Sequence, residues 1–347
     1  RSFLMFQGAN NTTRPNATEI RGRIVPHACP TTPPTVQFFR VTNETTTVNL
    51  SWYVVEFARG VSVQRGTVAS QSSSTINVGI TAVSSLARAF VLWSKSPAAA
   101  DPSYSQDDPT IGDLTAVNNL QFRVNASNAS HTIDWEVVEF TNSADLDVQR
   151  GTSTAMTPSI LSVTLAITPV DPAKSFALVS YRIPGASASI GRVLLRGRLS
   201  NCTPNCDQLI VDRSVGGSAI SEFAYQVVTL NNGSTVQSAS TTLASTVLAA
   251  SPALSPSVDT SRSVAFTSTL SGGGANFGRS PLASPLVQSL GVSAFTTSLA
   301  ASALTLTRNN SNDAADVSWY VAELNNVSAS GVNFNAREDG TPANRPQ

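Results

Sequence analysis

Few residues in this chain have types and spacings that could do chemistry. Its only histidines are His27 and His131, and its only cysteines are Cys29, Cys202 and Cys206. A structural zinc site needs two ligand pairs, and only one Cys pair exists, so no metal site is expected. Cys202 and Cys206 flank Thr203-Pro204-Asn205, a turn-rich loop where a small disulfide fits an oxidising compartment. That leaves Cys29 over. Asp107, Asp108 and Asp113 offer oxygen ligands without the EF-hand spacing, and the expectation there is a solvated turn. His131 precedes a strand with no nucleophile motif beside it. Neither Gly-x-Ser-x-Gly nor His-Glu-x-x-His occurs, and Gly272-Gly273-Gly274 lacks the Lys-Ser/Thr of a phosphate loop. The reading is therefore no enzyme, no catalytic residue and no cofactor. Glu56 with Arg65, and Glu139 with Arg150, flank a hairpin in two places and read as cross-strand ion pairs. Both partners are lost together in a third place, as Thr229 and Ser238. Trp93 is the one aromatic read as able to stack on a sugar.

The elements that must hold these residues are read from composition and repetition. There are 22 basic and 22 acidic residues in 347, only 13% of the chain, so a nucleic-acid or anionic-membrane surface is not expected. A hydrophobic share of 41% is enough to bury a core. No apolar run reaches the ~18 residues of a membrane span. Ser and Thr together number 84, a neutral, wettable surface. Asn-x-Ser/Thr acceptors for sugar stand at Asn10, Asn11, Asn16, Asn43, Asn49, Asn125, Asn128, Asn201, Asn232, Asn309 and Asn326.

Self-comparison shows a repeat. Trp52-Tyr-Val-Val-Glu-Phe57 recurs as Trp135-Glu-Val-Val-Glu-Phe140, then as Tyr225-Gln-Val-Val-Thr-Leu230 and Trp319-Tyr-Val-Ala-Glu-Leu324. Val63-Gln-Arg-Gly-Thr67 matches Val148-Gln-Arg-Gly-Thr152. Each aromatic is preceded by an apolar run ending in Arg40, Arg123, Arg213 or Arg308. Arg88-Ala-Phe-Val-Leu92 matches Lys174-Ser-Phe-Ala-Leu178 and Arg262-Ser-Val-Ala-Phe266. The runs between turn residues are short and rich in Val, Ile, Thr and aromatics, which reads as strands. Six or seven strands in roughly 87 residues fit a β-sandwich. The fold class expected is all-β, tandem β-sandwich repeats with half-units at both termini.

Arg1-Ser-Phe-Leu-Met5 aligns with Lys174-Ser-Phe-Ala-Leu178, and Ile20-Arg-Gly-Arg-Ile24 with Leu195-Arg-Gly-Arg-Leu199. Residues 1–35 thus read as the second half of a unit, 36–118, 119–208 and 209–303 as whole units, and 304–347 as a first half. The halves could close on each other as a ring or on a neighbouring molecule as a filament, or the sequence could be a window of a longer array. Sandwiches of about 30 Å stacked end to end put the halves on the order of 90 Å apart, which favours the filament. In that reading Phe3, Leu4, Met5 and Phe6 are donated to an acceptor around Trp319, Val321 and Leu324 of the next copy.

The pattern resembles the tandem immunoglobulin-like or fibronectin-type-III-like repeats of prokaryotic surface appendage proteins. The resemblance is one of architecture and composition, without the Cys…Trp…Cys of true immunoglobulin domains. It implies a structural subunit of an extracellular filament, polymerising head to tail with copies of itself. The alternative is a carbohydrate-binding adhesin or phage tail-fibre segment that partners surface glycans.

Overall fold

The computed structural model describes residues 1–10, 19–25, 35–41, 47–97, 105–127, 131–185, 192–271 and 290–336. The chain is all-β and built from repeated antiparallel sandwich units. It opens with β1 (Ser2–Asn10), β2 (Arg21–Val25), β3 (Thr35–Phe39) and β4 (Val48–Phe57). A first complete unit follows: β5 (Val61–Gln71), β6 (Thr75–Gly79), β7 (Ala89–Ser96), β8 (Ile111–Ala116), β9 (Asn119–Arg123) and β10 (His131–Phe140). The second is β11 (Leu146–Ser153), β12 (Ser162–Val170), β13 (Ser175–Arg182), β14 (Arg196–Cys202), β15 (Cys206–Asp212) and β16 (Glu222–Leu230). The third is β17 (Thr235–Leu243), β18 (Ala249–Ala250), β19 (Ser263–Ser271), β20 (Phe295–Ala300), β21 (Ala303–Arg308) and β22 (Ala315–Glu323), and β23 (Val327–Ala336) ends the series.

Each unit has an inner sheet, ordered β5-β10-β7, β11-β16-β13 or β17-β22-β19, and an outer one, β6-β9-β8, β12-β15-β14 or β18-β21-β20. The compact units therefore begin later than the repeat frame expected at 36, 119 and 209. The reason is pairing: the β8–β9 hairpin spans the 118/119 boundary.

The fourth inner sheet is β1-β4-β23, made from both ends of the chain. Trp52 on β4 faces Phe6 on one side and Val332 on the other. The half-units thus close on each other within one chain, which corrects the expected joint. Trp319, Val321 and Leu324 do not receive β1; they are buried in the third unit, on or just after β22, between β17 and β19. End-to-end stacking was the wrong premise, because the four inner sheets stand side by side around an axis.

The register shows this directly. Phe3, Phe90, Phe176 and Val264 occupy equivalent rungs, opposite Val55, Val138, Val228 and Ala322. They pack into one core, with Phe3 6.0 Å from Phe90, Phe90 6.3 Å from Phe176 and Phe176 5.1 Å from Phe266. Burying each aromatic contributes roughly 1.5–3 kcal/mol. β10 and its equivalents are buried on both faces, inward on the axis and outward on their own outer sheet. That is why each carries two adjacent apolar residues, Val137-Val138, Val227-Val228 or Val321-Ala322, instead of strict alternation.

An inner-sheet edge strand would expose unpaired backbone groups to its neighbour. The residue after each marker aromatic, Tyr53, Glu136, Gln226 or Tyr320, deals with this. Glu136 accepts from the Leu4 N–H at 2.7 Å. Gln226 accepts from the Val91 N–H at 2.9 Å and donates to the Val91 carbonyl. The Tyr320 hydroxyl lies against the Ala177 and Leu199 backbone, and its burial pushes the phenol up to about 12. Tyr53 reaches Thr297, whose hydroxyl donates to the Ala265 carbonyl. Leu4, Val91, Ala177 and Ala265 are equivalent in the repeat, so one ladder position stitches all four interfaces.

Two further devices hold the units. The guanidinium of Arg213, 3% exposed, donates to the carbonyls of Thr157, Ile160, Arg192 and Ser218. Arg308 does the same with Ala244, Val247 and Val292. Gly66 faces Trp135 in register, and a Cβ there would sit 2.6 Å from the indole, so the ring lies flat over the strand only because the residue is glycine.

Candidate functional site

The axis has two chemically different ends. At one end, tight links step the chain from each inner sheet to the next, using left-handed residues at Gly60 (φ 79), Gly233 (φ 88) and Asn326 (φ 60). The links bond to one another in a closed circuit. Thr141 donates to the Gly60 carbonyl, Asn231 to that of Asp145, Asn325 to the Ser234 hydroxyl, and Ala58 to the Asn326 carbonyl. They surround a cavity of about 390 Å³ lined by Arg59, Asn142, Asp145, Asn232, Asn325 and Asn326.

Some of these groups are engaged locally. Asn142 donates to Asp145 at 2.9 Å, and Asn325 donates to the Asn232 carbonyl at 2.7 Å. What remains is of both kinds: the Arg59 guanidinium and Asn232 amide as donors, Asn325 Oδ1 and Asp145 Oδ2 as acceptors. A cavity offering both suits a polyol, whose every hydroxyl donates and accepts. It contains no nucleophile–base pair, and among the described residues no group of three or more His, Cys, Asp or Glu is placed to hold a metal. Nor is any helix among the described residues long and apolar enough to cross a membrane.

The residues expected to matter from sequence are distributed differently. Phe3 and Leu4 are buried, and Met5 and Phe6 half-buried, all inside the chain's own ring. The two ion pairs are redrawn. Arg65 bonds Glu136 at 3.2 Å and the Ser2 carbonyl, while exposed Glu56 stands opposite Ser2. Arg150 bonds Asp113 at 3.1 Å and the Leu86 and Ala89 carbonyls, and Glu139 accepts from Ser84. The hairpin assumption fails because β4 and β5, like β10 and β11, belong to different sheets. Each Arg is instead an interface clamp on the preceding unit.

Asp107 and Asp108 are 1% and 2% exposed, not solvated. Their carbonyls take the buried Lys95 ammonium, while His131 bonds the Asp107 carboxylate at 3.4 Å and Ser105 donates to it. Burial pushes this carboxyl up, but the His131 and Ser105 hydrogen bonds outweigh it and hold it at about 2. Trp93 is half-buried, with its indole against Gly112 and its ring edge-on to Phe122, and it lines neighbouring cavities. A disulfide joins Cys202 and Cys206. Among the sugar acceptors Asn201 and Asn326 are exposed. Asn10 is 4% exposed, and Asn49 and Asn309 bond each other at 3.1 Å within an interface. Asn125 accepts from Ser221, and Asn232 lines the polar cavity. Asn11, Asn16, Asn43, Asn128, Cys29, His27 and Gly272–Gly274 lie outside the described residues.

The interface clamps were missed from sequence. Their signal was present: a polar-tipped residue at the same place in four strands, between the marker aromatic and a Val-Val or Val-Ala pair. No protein-family model matches the chain, and no curated protein matches it.

Proposed function

We propose that this protein is a non-catalytic extracellular binding module, a discrete four-unit ring that recognises carbohydrate at the polar end of its axis. The observation that carries this reading is the cavity of about 390 Å³ with unengaged donors and acceptors from successive inter-unit links. The Cys202–Cys206 bridge, the Ser/Thr-rich surface and exposed Asn201 and Asn326 support an oxidising, exported setting. Closure in one chain supports a particle over a polymer joined through half-units, since both edges of β4 are occupied. A glycan array followed by calorimetry tests the reading. Saturable binding that Arg59→Ala weakens about tenfold, with an unchanged melting curve, is expected; failure to bind any glycan refutes it.

A filament remains the second reading, on one specific observation. Among the described residues the outer sheet β2–β3 has two strands where the other three have three, and β3 pairs only with β2. Its other edge could take a strand from a neighbouring copy by β-addition. Negative-stain microscopy across a concentration series tests that: filaments support it, and uniform particles oppose it.

A further inference from the structure

On the inner-sheet strands that line the axis, every second side chain points inward. Going away from the inter-unit links, these residues run Phe3-Met5-Gln7, Phe90-Leu92-Ser94, Phe176-Leu178-Ser180 and Val264-Phe266-Ser268. The first rung is buried core, and the third is polar. The middle rung, Met5, Leu92, Leu178 and Phe266, is apolar, packs on the core and is only half-buried. Its free side is the floor of a cavity of about 740 Å³, to which all four units contribute and which β2 walls with Gly22 and Ile24. A second cavity of about 240 Å³ shares Leu92, Leu178 and Phe266 with it.

The polar groups around this floor are already engaged with one another. Asp134 takes Arg21 at 2.6 Å and Thr67, and Glu136 takes Arg65 at 3.2 Å and the Leu4 N–H at 2.7 Å. Arg23 donates to Gln37 through Nε and Nη2. In the second cavity, Asp113 accepts from Arg150 at 3.1 Å. Gln7 Oε1 takes both the amide and the hydroxyl of Thr267. Ser94 exchanges hydrogen bonds with the Gly22 backbone, and Ser268 accepts from the Gly197 N–H at 3.0 Å. The charged groups lining the main cavity, Arg23 and Arg65 against Asp134 and Glu136, balance.

We propose that this cavity binds a neutral, largely apolar small molecule seated on the four-residue floor. An apolar rung open to a void forfeits dispersion contacts that a ligand restores, and the volume falls within the range of about 300–1,000 Å³ typical of small-molecule sites. A charged ligand would give up its hydration to a site whose own charges are already paired, so the balance selects against either sign. This goes beyond carbohydrate recognition and uses none of its residues.

The probe is N-phenyl-1-naphthylamine, an uncharged dye that brightens out of water, titrated into the intact protein. Its analogue 8-anilinonaphthalene-1-sulfonate carries the same rings and one sulfonate, so the pair isolates the effect of charge. One saturable site is expected, binding the neutral dye about tenfold more tightly than the sulfonate, with decanol displacing it at a concentration about tenfold lower than decanoate or decylammonium does. Leu178→Trp, which fills the floor, should weaken binding of the neutral dye about tenfold while the cooperative melt is kept; Leu92→Phe serves if that variant does not fold. Absence of saturable binding, a sulfonate that binds as tightly as the neutral dye, or undiminished binding in the filled variant that folds would each overturn the proposal.

Discussion

Glu136 offers a controlled perturbation of the interface ladder, because the equivalent residue of the next unit is Gln226. Burial pushes the Glu136 carboxyl above its ordinary 4.5, while the Leu4 N–H and Arg65 pull it back part of the way. A raised carboxyl means that the folded state holds its proton more tightly than the unfolded chain. Its contribution is therefore greatest below pH 4.5 and is lost as pH rises through the folded value. At pH 7 Glu136→Gln removes that penalty and keeps an acceptor for Leu4, so it should be neutral or stabilising by about 1 kcal/mol. Glu136→Leu strands the Leu4 N–H and leaves Arg65 without its anion. An orphaned buried donor costs about 1–3 kcal/mol, and breaking a buried pair about 3–5. With Arg65 26% exposed, the low end applies, and a loss of about 3 kcal/mol is expected. Urea unfolding at several pH values from 4 to 8 measures both. Equal stability of the Leu and Gln variants, or a Gln variant whose pH curve keeps the wild-type slope, would refute the clamp.

Three more outcomes follow from the same structure. Arg213→Met should lose about 2–4 kcal/mol in denaturant melts, since four carbonyls lose their donor, whereas Arg198→Met, at 36% side-chain exposure with one shared carboxylate, should change little. Gly66→Ala should destabilise by about 1–3 kcal/mol and red-shift Trp135 emission, because the new Cβ forces the indole off the strand; an unchanged spectrum would count against that packing. Asp107 is held at about 2 against an ordinary 3.8, so its contribution is present above pH 4 and lost as pH falls towards 2. Asp107→Asn should flatten the stability curve in that window, as thermal melts at pH 2–5 would show.

The sandwich unit was legible because each strand obeys local rules. Val and aromatic runs, turn residues and the recurring Trp-x-Val-Val place the strands before any tertiary information is used. What was not legible was which strands share a sheet. The run from Trp52 to Arg65 looks like a hairpin, yet Gly60 turns the chain into the neighbouring sheet. That one step redirects Arg65 from Glu56 to Glu136 on its own sheet and the Ser2 carbonyl of the neighbouring unit, and Arg150 from Glu139 to Asp113 of the preceding unit, and it turns a row of units into a ring. The burial of Asp107 was hidden for a related reason: an Asp-Asp-Pro loop reads as solvent-facing until Lys95 and His131 are brought beneath it from other strands. Neither end of the axis was visible in the sequence, because each cavity is assembled from residues far apart in the chain.

Closure within one chain is tested most directly by a cross-link. Glu56 and Ser328 are Cα partners across β4 and β23, a separation of about 4.5–5.5 Å that a disulfide spans. Glu56→Cys with Ser328→Cys, in a Cys29→Ser background, would be oxidised and run on a non-reducing gel beside intact-mass analysis. A monomer lighter by two hydrogens, at every protein concentration, is the predicted result. A ladder of covalent dimers and higher species would show that β23 pairs with β4 of another molecule, and would contradict the ring.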